Sequence, residues 1–255
     1  MNYNNKNKTI LITGVGKGFG RDLFSYFTNK NYFVYGITRS PSDFKNAKKL
    51  SNSKIYYGDV KNKNMIKKIL NDSIKNKRLI SGLVNNAGVR HREKFIKIKE
   101  KDLRNTFETN FFSVFLITQS YLKYCIKYKI KSSIINIGSI VGGEKGFQDL
   151  SSYASSKGAL KSFTQSIAVE VAQYGIRANS INPGFFKTSY FRKFSKSKKK
   201  LYNWTLSRIP QKRWGETKEL RGLISFLLSE ESCYLTGETI NIDGGWVNSW
   251  KKEVL

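Results

Sequence analysis

The chain has 255 residues, is 39% hydrophobic and carries 17 Phe, 14 Tyr and 4 Trp, enough apolar material for one sizeable core. Its 2 Cys form neither a disulfide framework nor a metal-ligand cluster, so Cys125 and Cys233 are expected as free buried thiols in a reducing compartment. Residues 1–8 are polar with no apolar run behind them, and no segment approaches the ~18 apolar residues of a membrane helix; a cytoplasmic protein without signal peptide or membrane contact is expected.

Along the chain, short apolar runs alternate with longer amphipathic stretches, the pattern of βαβ units and a parallel sheet. Candidate strands are Thr9–Thr13, Tyr32–Ile37, Lys54–Tyr57, Gly82–Asn85, Ser133–Ile137, Arg177–Ile181 and Glu238–Ile242. Candidate helices are Gly18–Asn29, Lys63–Lys75, Lys101–Tyr128, Ser152–Tyr174 and Thr217–Ser229. The three prolines, Pro41, Pro183 and Pro210, each fall between elements. No repeat or composition break marks a second domain. The expected fold is therefore a single α/β domain over 1–255, a doubly wound seven-stranded parallel sheet flanked by helices. Residues 1–7 are expected as a flexible N-terminus.

The first strand runs into Thr13-Gly-Val-Gly-Lys-Gly-Phe-Gly20 and then a helix. Glycines at such a turn (Gly14, Gly18, Gly20) allow close backbone approach to a pyrophosphate, and the helix N-terminus supplies N–H donors and a favourable dipole. Ribose specificity is expected at the end of the second strand, where Thr38-Arg39-Ser40 stands instead of an Asp or Glu. Arg39 can pair with a 2′-phosphate and Lys17 can reach the same region, while Asp43 comes too late in the sequence to repel it. NADP(H) is accordingly expected over NAD(H).

Tyr153 precedes Lys157 by four residues, so the two share one helix face, and an ammonium beside a phenol favours the phenolate. Tyrosine otherwise titrates near pH 10, and the single histidine, His91, is a poor default base. On that spacing alone an incidental Tyr and Lys on an exposed helix is the expected reading, because Y-x-x-x-K arises often by chance. Ser139, upstream, is positioned to hold a substrate oxygen.

Together these segments resemble the short-chain dehydrogenase/reductase family. Residues 13–20 look like its T-G-x-x-x-G-x-G turn. Asp59-Val60 is similar to its adenine-contacting pair, Asn85-Asn86-Ala87-Gly88 to its N-N-A-G, and Asn110 to its active-site Asn. Ser139, Tyr153 and Lys157 match its remaining catalytic positions, and Pro183-Gly184 with Thr188 matches the segment flanking the nicotinamide. The resemblance runs in order over residues 8 to 246. It implies a Rossmann fold, with a cofactor site drawing on Thr13, Gly14, Lys17, Gly18, Phe19, Gly20, Thr38, Arg39, Asp59, Val60, Asn86, Ala87, Gly88, Tyr153, Lys157, Pro183, Gly184 and Thr188. It also implies an oxidoreductase in which Tyr153 exchanges the proton, Ser139 holds the carbonyl oxygen, Lys157 lowers the tyrosine pKa and Asn110 anchors a proton-relaying water. Homo-oligomers through the helices at Lys101–Tyr128 and Ser152–Tyr174 follow from the same resemblance.

Residues 185–215 are expected as an insertion over the substrate. Their neighbourhood looks most like 3-oxoacyl-acyl-carrier-protein reductases and like keto-sugar or polyol reductases, so an acyl thioester and a carbohydrate both remain open as substrate. The formal net charge of +28, with a dense run at 192–200, suits an acidic carrier protein. Lysine spread from Lys6 to Lys252 equally fits compositional drift, because arginine is the residue that grips phosphates bidentately. A non-catalytic nucleic-acid-binding protein is the remote alternative. His91 is expected to be a solvated loop residue.

Overall fold

The computed structural model describes residues 8–44, 52–188 and 191–249, with the side chains at 192 and 193 outside the description. The expected flexible segment 1–7 lies outside the described residues.

Nine strands and eight α-helices occur among the described residues. In chain order these are β1 (Thr9–Thr13), α1 (Gly18–Asn29), β2 (Phe33–Thr38), β3 (Ser53–Tyr57), α2 (Lys63–Lys75), β4 (Ile80–Asn85), α3 (Glu100–Phe107) and α4 (Ser113–Lys127). There follow β5 (Ser132–Ile137), α5 (Ser151–Val171), β6 (Ile176–Pro183), β7 (Phe186–Lys187), α6 (Phe191–Ser197), α7 (Lys199–Arg208), β8 (Gly215–Glu216), α8 (Leu220–Leu228) and β9 (Thr239–Ile242). Seven strands form one parallel sheet in the order β3-β2-β1-β4-β5-β6-β9. The order reverses at β1, and that switch point is where α/β sheets bind ligands, beyond the carboxyl ends of the strands.

Central strands are apolar on both faces because helices cover both: every residue of β1 and β5 is buried. One face packs Leu11, Leu83 and Ile134 under Ile69 of α2, Ile117 and Tyr121 of α4 and Ile167 of α5. The other packs Ile12, Val84 and Ile135 under Leu23 and Phe24 of α1 and Ile224 of α8. The edge strand β3 keeps Lys54 and Tyr57 exposed, which is where an alternating strand belongs.

Two departures from the sequence pattern matter for function. The helix expected over Lys101–Tyr128 is broken by a π-helical turn, Glu108–Phe112, between α3 and α4. The segment 185–215, expected as an insertion over the substrate, carries β7, α6, α7 and the start of β8. β7 and β8 pair as a separate two-stranded ribbon, Phe186 with Gly215 and Lys187 with Glu216, tightened by a 2.7 Å Lys187–Glu216 ion pair. The excursion therefore leaves and rejoins the body at one narrow base.

Cys125 is buried and free, and burial pushes its thiol up to about 12. Cys233 is free but exposed, correcting the expectation of two buried thiols; it follows the short turn Glu230–Ser232 on the surface rather than a packed helix face.

Candidate active site

The carboxyl ends of β4, β5 and β6 and the start of α5 converge on one point. After β5 the chain turns through Gly138 and Ser139, and Gly142 N–H closes the turn on Ser139 O at 2.9 Å. A Cβ on Gly142 would press on the Lys157 backbone at 2.8 Å, so only glycine lets this turn lie flat against α5. From β6, Asn182 Oδ1 accepts the Ser139 N–H at 3.0 Å. The turn brings Ser139 within hydrogen-bond reach of the Tyr153 hydroxyl.

Lys157, one turn along α5, is 5% exposed. Its ammonium donates to the Ile137 carbonyl at 2.6 Å, and burial without a carboxylate partner lowers its pKa to about 8. The shift on Tyr153 runs upward, against the expectation that Lys157 would lower it. Burial is the largest cause; the Ser139 hydrogen bond and then the positive charge of Arg90 oppose it. Arg90, two residues past Gly88 in the segment 89–92 that the sequence places facing the substrate, therefore acts on Tyr153.

Asn110 lies at the centre of the π-turn and is fully buried. It clamps Val89 from both sides, accepting its N–H at 2.8 Å and donating to its carbonyl at 2.9 Å, and donates to Ser156 Oγ at 3.0 Å. Its amide therefore fixes the loop after β4 against α5 and sets Gly88 beside the Lys157 ammonium. His91, in that loop, is half-buried rather than solvated: Nε2 stands 3.8 Å from Asp102 and Nδ1 is buried with no partner among the described residues.

The glycine turn opens the same end of the sheet. Gly14 and Gly18 have φ of 73° and 57°, and α1 begins at Gly18 with no acidic residue in its first turn and no side-chain cap from Lys17. Its N-terminal amides are therefore left for an anion. Phe19 packs edge-on against Phe186 at 5.0 Å. Thr13 Oγ1 accepts from the N–H groups of Asn86 and Ala87, and Asn86 Nδ2 donates to the carbonyls of Thr13 and Gly14. Thr188 faces Gly18 across the cleft. Pro183 and Gly184 end β6, where Gly184 N–H bonds Ile242 O at 2.9 Å. Asp59 accepts from the Lys61 N–H at 3.0 Å, and Val60 packs against the core at the end of β3.

A dinucleotide fits this donor set. The glycine turn presents amides to a pyrophosphate, and further in lie a buried ammonium and the buried Asn182 Nδ2, which has no partner among the described residues.

Arg39 stands exposed at the end of β2 as expected. Asp43, set aside in the sequence as too distant, is not distant: Thr38 Oγ1 donates to its Oδ2 at 2.5 Å. A one-turn helix, Pro41–Phe44, returns the chain to the strand end.

Beside Ser139 an aromatic wall closes the cleft. Ile140, Phe194, Ile209, Trp214 and Trp246 form a third apolar cluster, with Phe147, Phe185 and Phe191 half-buried against it. Trp214 is held by a 2.7 Å hydrogen bond to Thr205, whereas Trp204 is 43% exposed and stacks edge-on against Phe147 and Trp246. Tyr190 lies outside the described residues, as do the side chains of 192 and 193 in the basic run.

Comparison with known proteins agrees with this geometry. A family model described as enoyl-(acyl carrier protein) reductase matches residues 14–247. The chain is similar to a 3-oxoacyl-[acyl-carrier-protein] reductase, FabG, of Buchnera aphidicola, at 32% identity over 93% of this chain and 96% of the relative. Among solved structures it is similar to ElxO with NADP bound (TM-score 0.88, 29% identity, 95% of this chain and 100% of that one). It is also similar to 4-hydroxyisoleucine dehydrogenase complexed with NADH (TM-score 0.89, 26% identity, 96% and 100%).

Proposed function

Because the chain belongs to the short-chain dehydrogenase/reductase family, and so is an NAD(P)-dependent oxidoreductase acting on CH–OH groups, we propose that it reduces a 3-oxoacyl thioester to the 3-hydroxy compound with NADP(H) as preferred cofactor. The observation that carries this reading is the convergence of the Ser139 turn, Tyr153 and the buried Lys157 ammonium at the ends of β5 and β6. A bound nicotinamide supplies the hydride. Every other part falls to the chain itself. Ser139 and Tyr153 hold the carbonyl oxygen between two hydroxyls, and Tyr153 gives it a proton. A phenol whose pKa is raised stays protonated at neutral pH, which suits the donor in the reducing direction. Lys157 places a positive charge below that oxygen, and Asn110 fixes the wall opposite. Thr13, Asn86, Asp59 and Thr188 shape the cofactor cleft.

Relatives named as reductases of carrier-bound 3-oxoacyl groups support the thioester, and the aromatic wall formed by Phe147, Phe185 and Trp204 suits an acyl chain. Residues 185–215 act as the cover over that substrate within one domain. The chain works as a homo-oligomer joined through α4 and α5, where Phe112, Phe115 and Val169 are exposed.

NADPH oxidation with acetoacetyl thioesters, and with keto-sugars in parallel, tests the reading. Tyr153→Phe is expected to lose roughly 10²–10⁴-fold in turnover while still binding cofactor. Full activity in that variant would remove Tyr153 as the proton donor. Turnover of keto-sugars alone would replace the thioester with a carbohydrate substrate.

A further inference from the structure

The carboxylate of Asp43 lies against the glycine turn at the end of β2. β2 and the glycine turn form one unit at this point, because the N–H groups of Gly14 and Val15 both bond the Ile37 carbonyl, at 2.8 and 3.0 Å. Beyond Thr38 the chain turns back at Pro41–Phe44, with Asp43 N–H on Ser40 O at 3.2 Å. Phe44 anchors that turn: its ring meets Phe24 of α1 edge-on at 5.3 Å, and the Arg21 guanidinium stacks over it at 3.9 Å. Asp43 is thereby carried onto the glycine turn itself. A Cβ built on Gly16 would overlap both the Asp43 carboxylate and Thr38 Oγ1.

An adenosine whose pyrophosphate rests on the turn from Gly14 to Gly20 has its ribose at the end of β2. There a carboxylate accepts hydrogen bonds from a 2′,3′-diol and repels a 2′-phosphate, while a guanidinium does the reverse. This chain presents both, Asp43 folded inward and Arg39 exposed beside it. We propose that Asp43 is a cofactor-specificity residue acting against Arg39, so that the protein accepts NAD(H) as well as NADP(H) and its discrimination is set by the balance of the two side chains. The inference rests on the oxidoreductase reading above and deepens its cofactor site.

The test is direct titration of NADPH and NADH by fluorescence, without substrate, on the wild-type chain and on Asp43→Asn and Asp43→Ala. Wild type is expected to bind both. Removing the negative charge is expected to tighten NADPH about tenfold, the scale of one like-charge contact near a surface, and to weaken NADH, in both variants. Circular dichroism on the same samples checks that each variant is folded; Asp43→Ala carries the test if Asp43→Asn is not, and the reverse. A ratio of the two dissociation constants that stays at its wild-type value in the folded variants overturns the role of Asp43 while leaving the enzyme reading intact. Binding of neither cofactor by wild type overturns the cofactor reading, and the role of Asp43 with it.

Discussion

Lys157 illustrates at the scale of one residue what the site costs the fold. Its charge is buried with a backbone carbonyl for company, and a lowering from 10.5 to about 8 corresponds to roughly 3 kcal/mol against the folded state at neutral pH. The sign follows from the direction of the shift. Below about pH 8 the lysine is charged in both states and the folded state carries the whole penalty. Between about 8 and 10.5 the folded state has released the proton and the unfolded state has not, so the penalty fades as pH rises. Lys157→Met is therefore expected to abolish turnover yet raise the melting temperature at pH 7, with the gain shrinking toward pH 10 in parallel thermal melts. A melting temperature lower than wild type at pH 7 would show that the ammonium is not a strained group. The i, i+4 spacing of Tyr153 and Lys157 was legible in the sequence. The direction of the Tyr153 shift was not, because it is set by burial, which outweighs the opposing Ser139 hydroxyl and the charge of Arg90.

Among the elements, the π-turn Glu108–Phe112 is the piece that periodicity could not foresee. One residue added to a turn leaves the apolar pattern on either side nearly unchanged, so Lys101–Tyr128 reads as a single helix. In space the wider turn aims Asn110 into the interior, where its amide satisfies both backbone groups of Val89 and reaches Ser156. Asn110→Ala would strand those buried groups, each worth on the order of 1–3 kcal/mol. We expect a loss of roughly 2–4 kcal/mol in urea unfolding, together with loss of activity as the loop after β4 moves off α5. A variant with unchanged stability would mean that the clamp on Val89 contributes nothing. The ribbon of β7 and β8 escaped notice for a related reason: two-residue strands carry no alternation to detect.

For the molecule as a whole, the two largest surface features are charge and exposed aromatics. The formal charge of +28 comes from basic residues spread along the whole sequence. Among the exposed apolar side chains, Phe112 and Phe115 are 46% and 40% exposed on the π-turn and α4, Phe115 packs on Phe163 of α5 at 5.2 Å, and Val169 is 81% exposed further along α5. Apolar exposure on neighbouring helices is what a subunit interface covers. If the proposed oligomer forms there, Phe115→Lys combined with Val169→Lys should reduce the mass seen by light scattering to that of one chain. A mass unchanged from wild type would move the interface elsewhere.

By itself, the sequence determined the parallel sheet, the glycine turn and the Tyr153–Lys157 pair with Ser139 upstream, and its family resemblance added Asn110. Strand runs, helix periodicity and an i, i+4 pair are local patterns, and local patterns survive in one dimension. Tertiary structure alone decided what those residues face. Asp43 reaches the glycine turn because Phe44 packs on Phe24, twenty residues earlier in the chain. Arg90 comes to Tyr153 in a loop that Asn110 holds through Val89, and His91 of that loop stands half-buried beside Asp102 of α3. Each of these is a contact between segments whose separation in sequence carries no signal, and side-chain packing is the force that closes it.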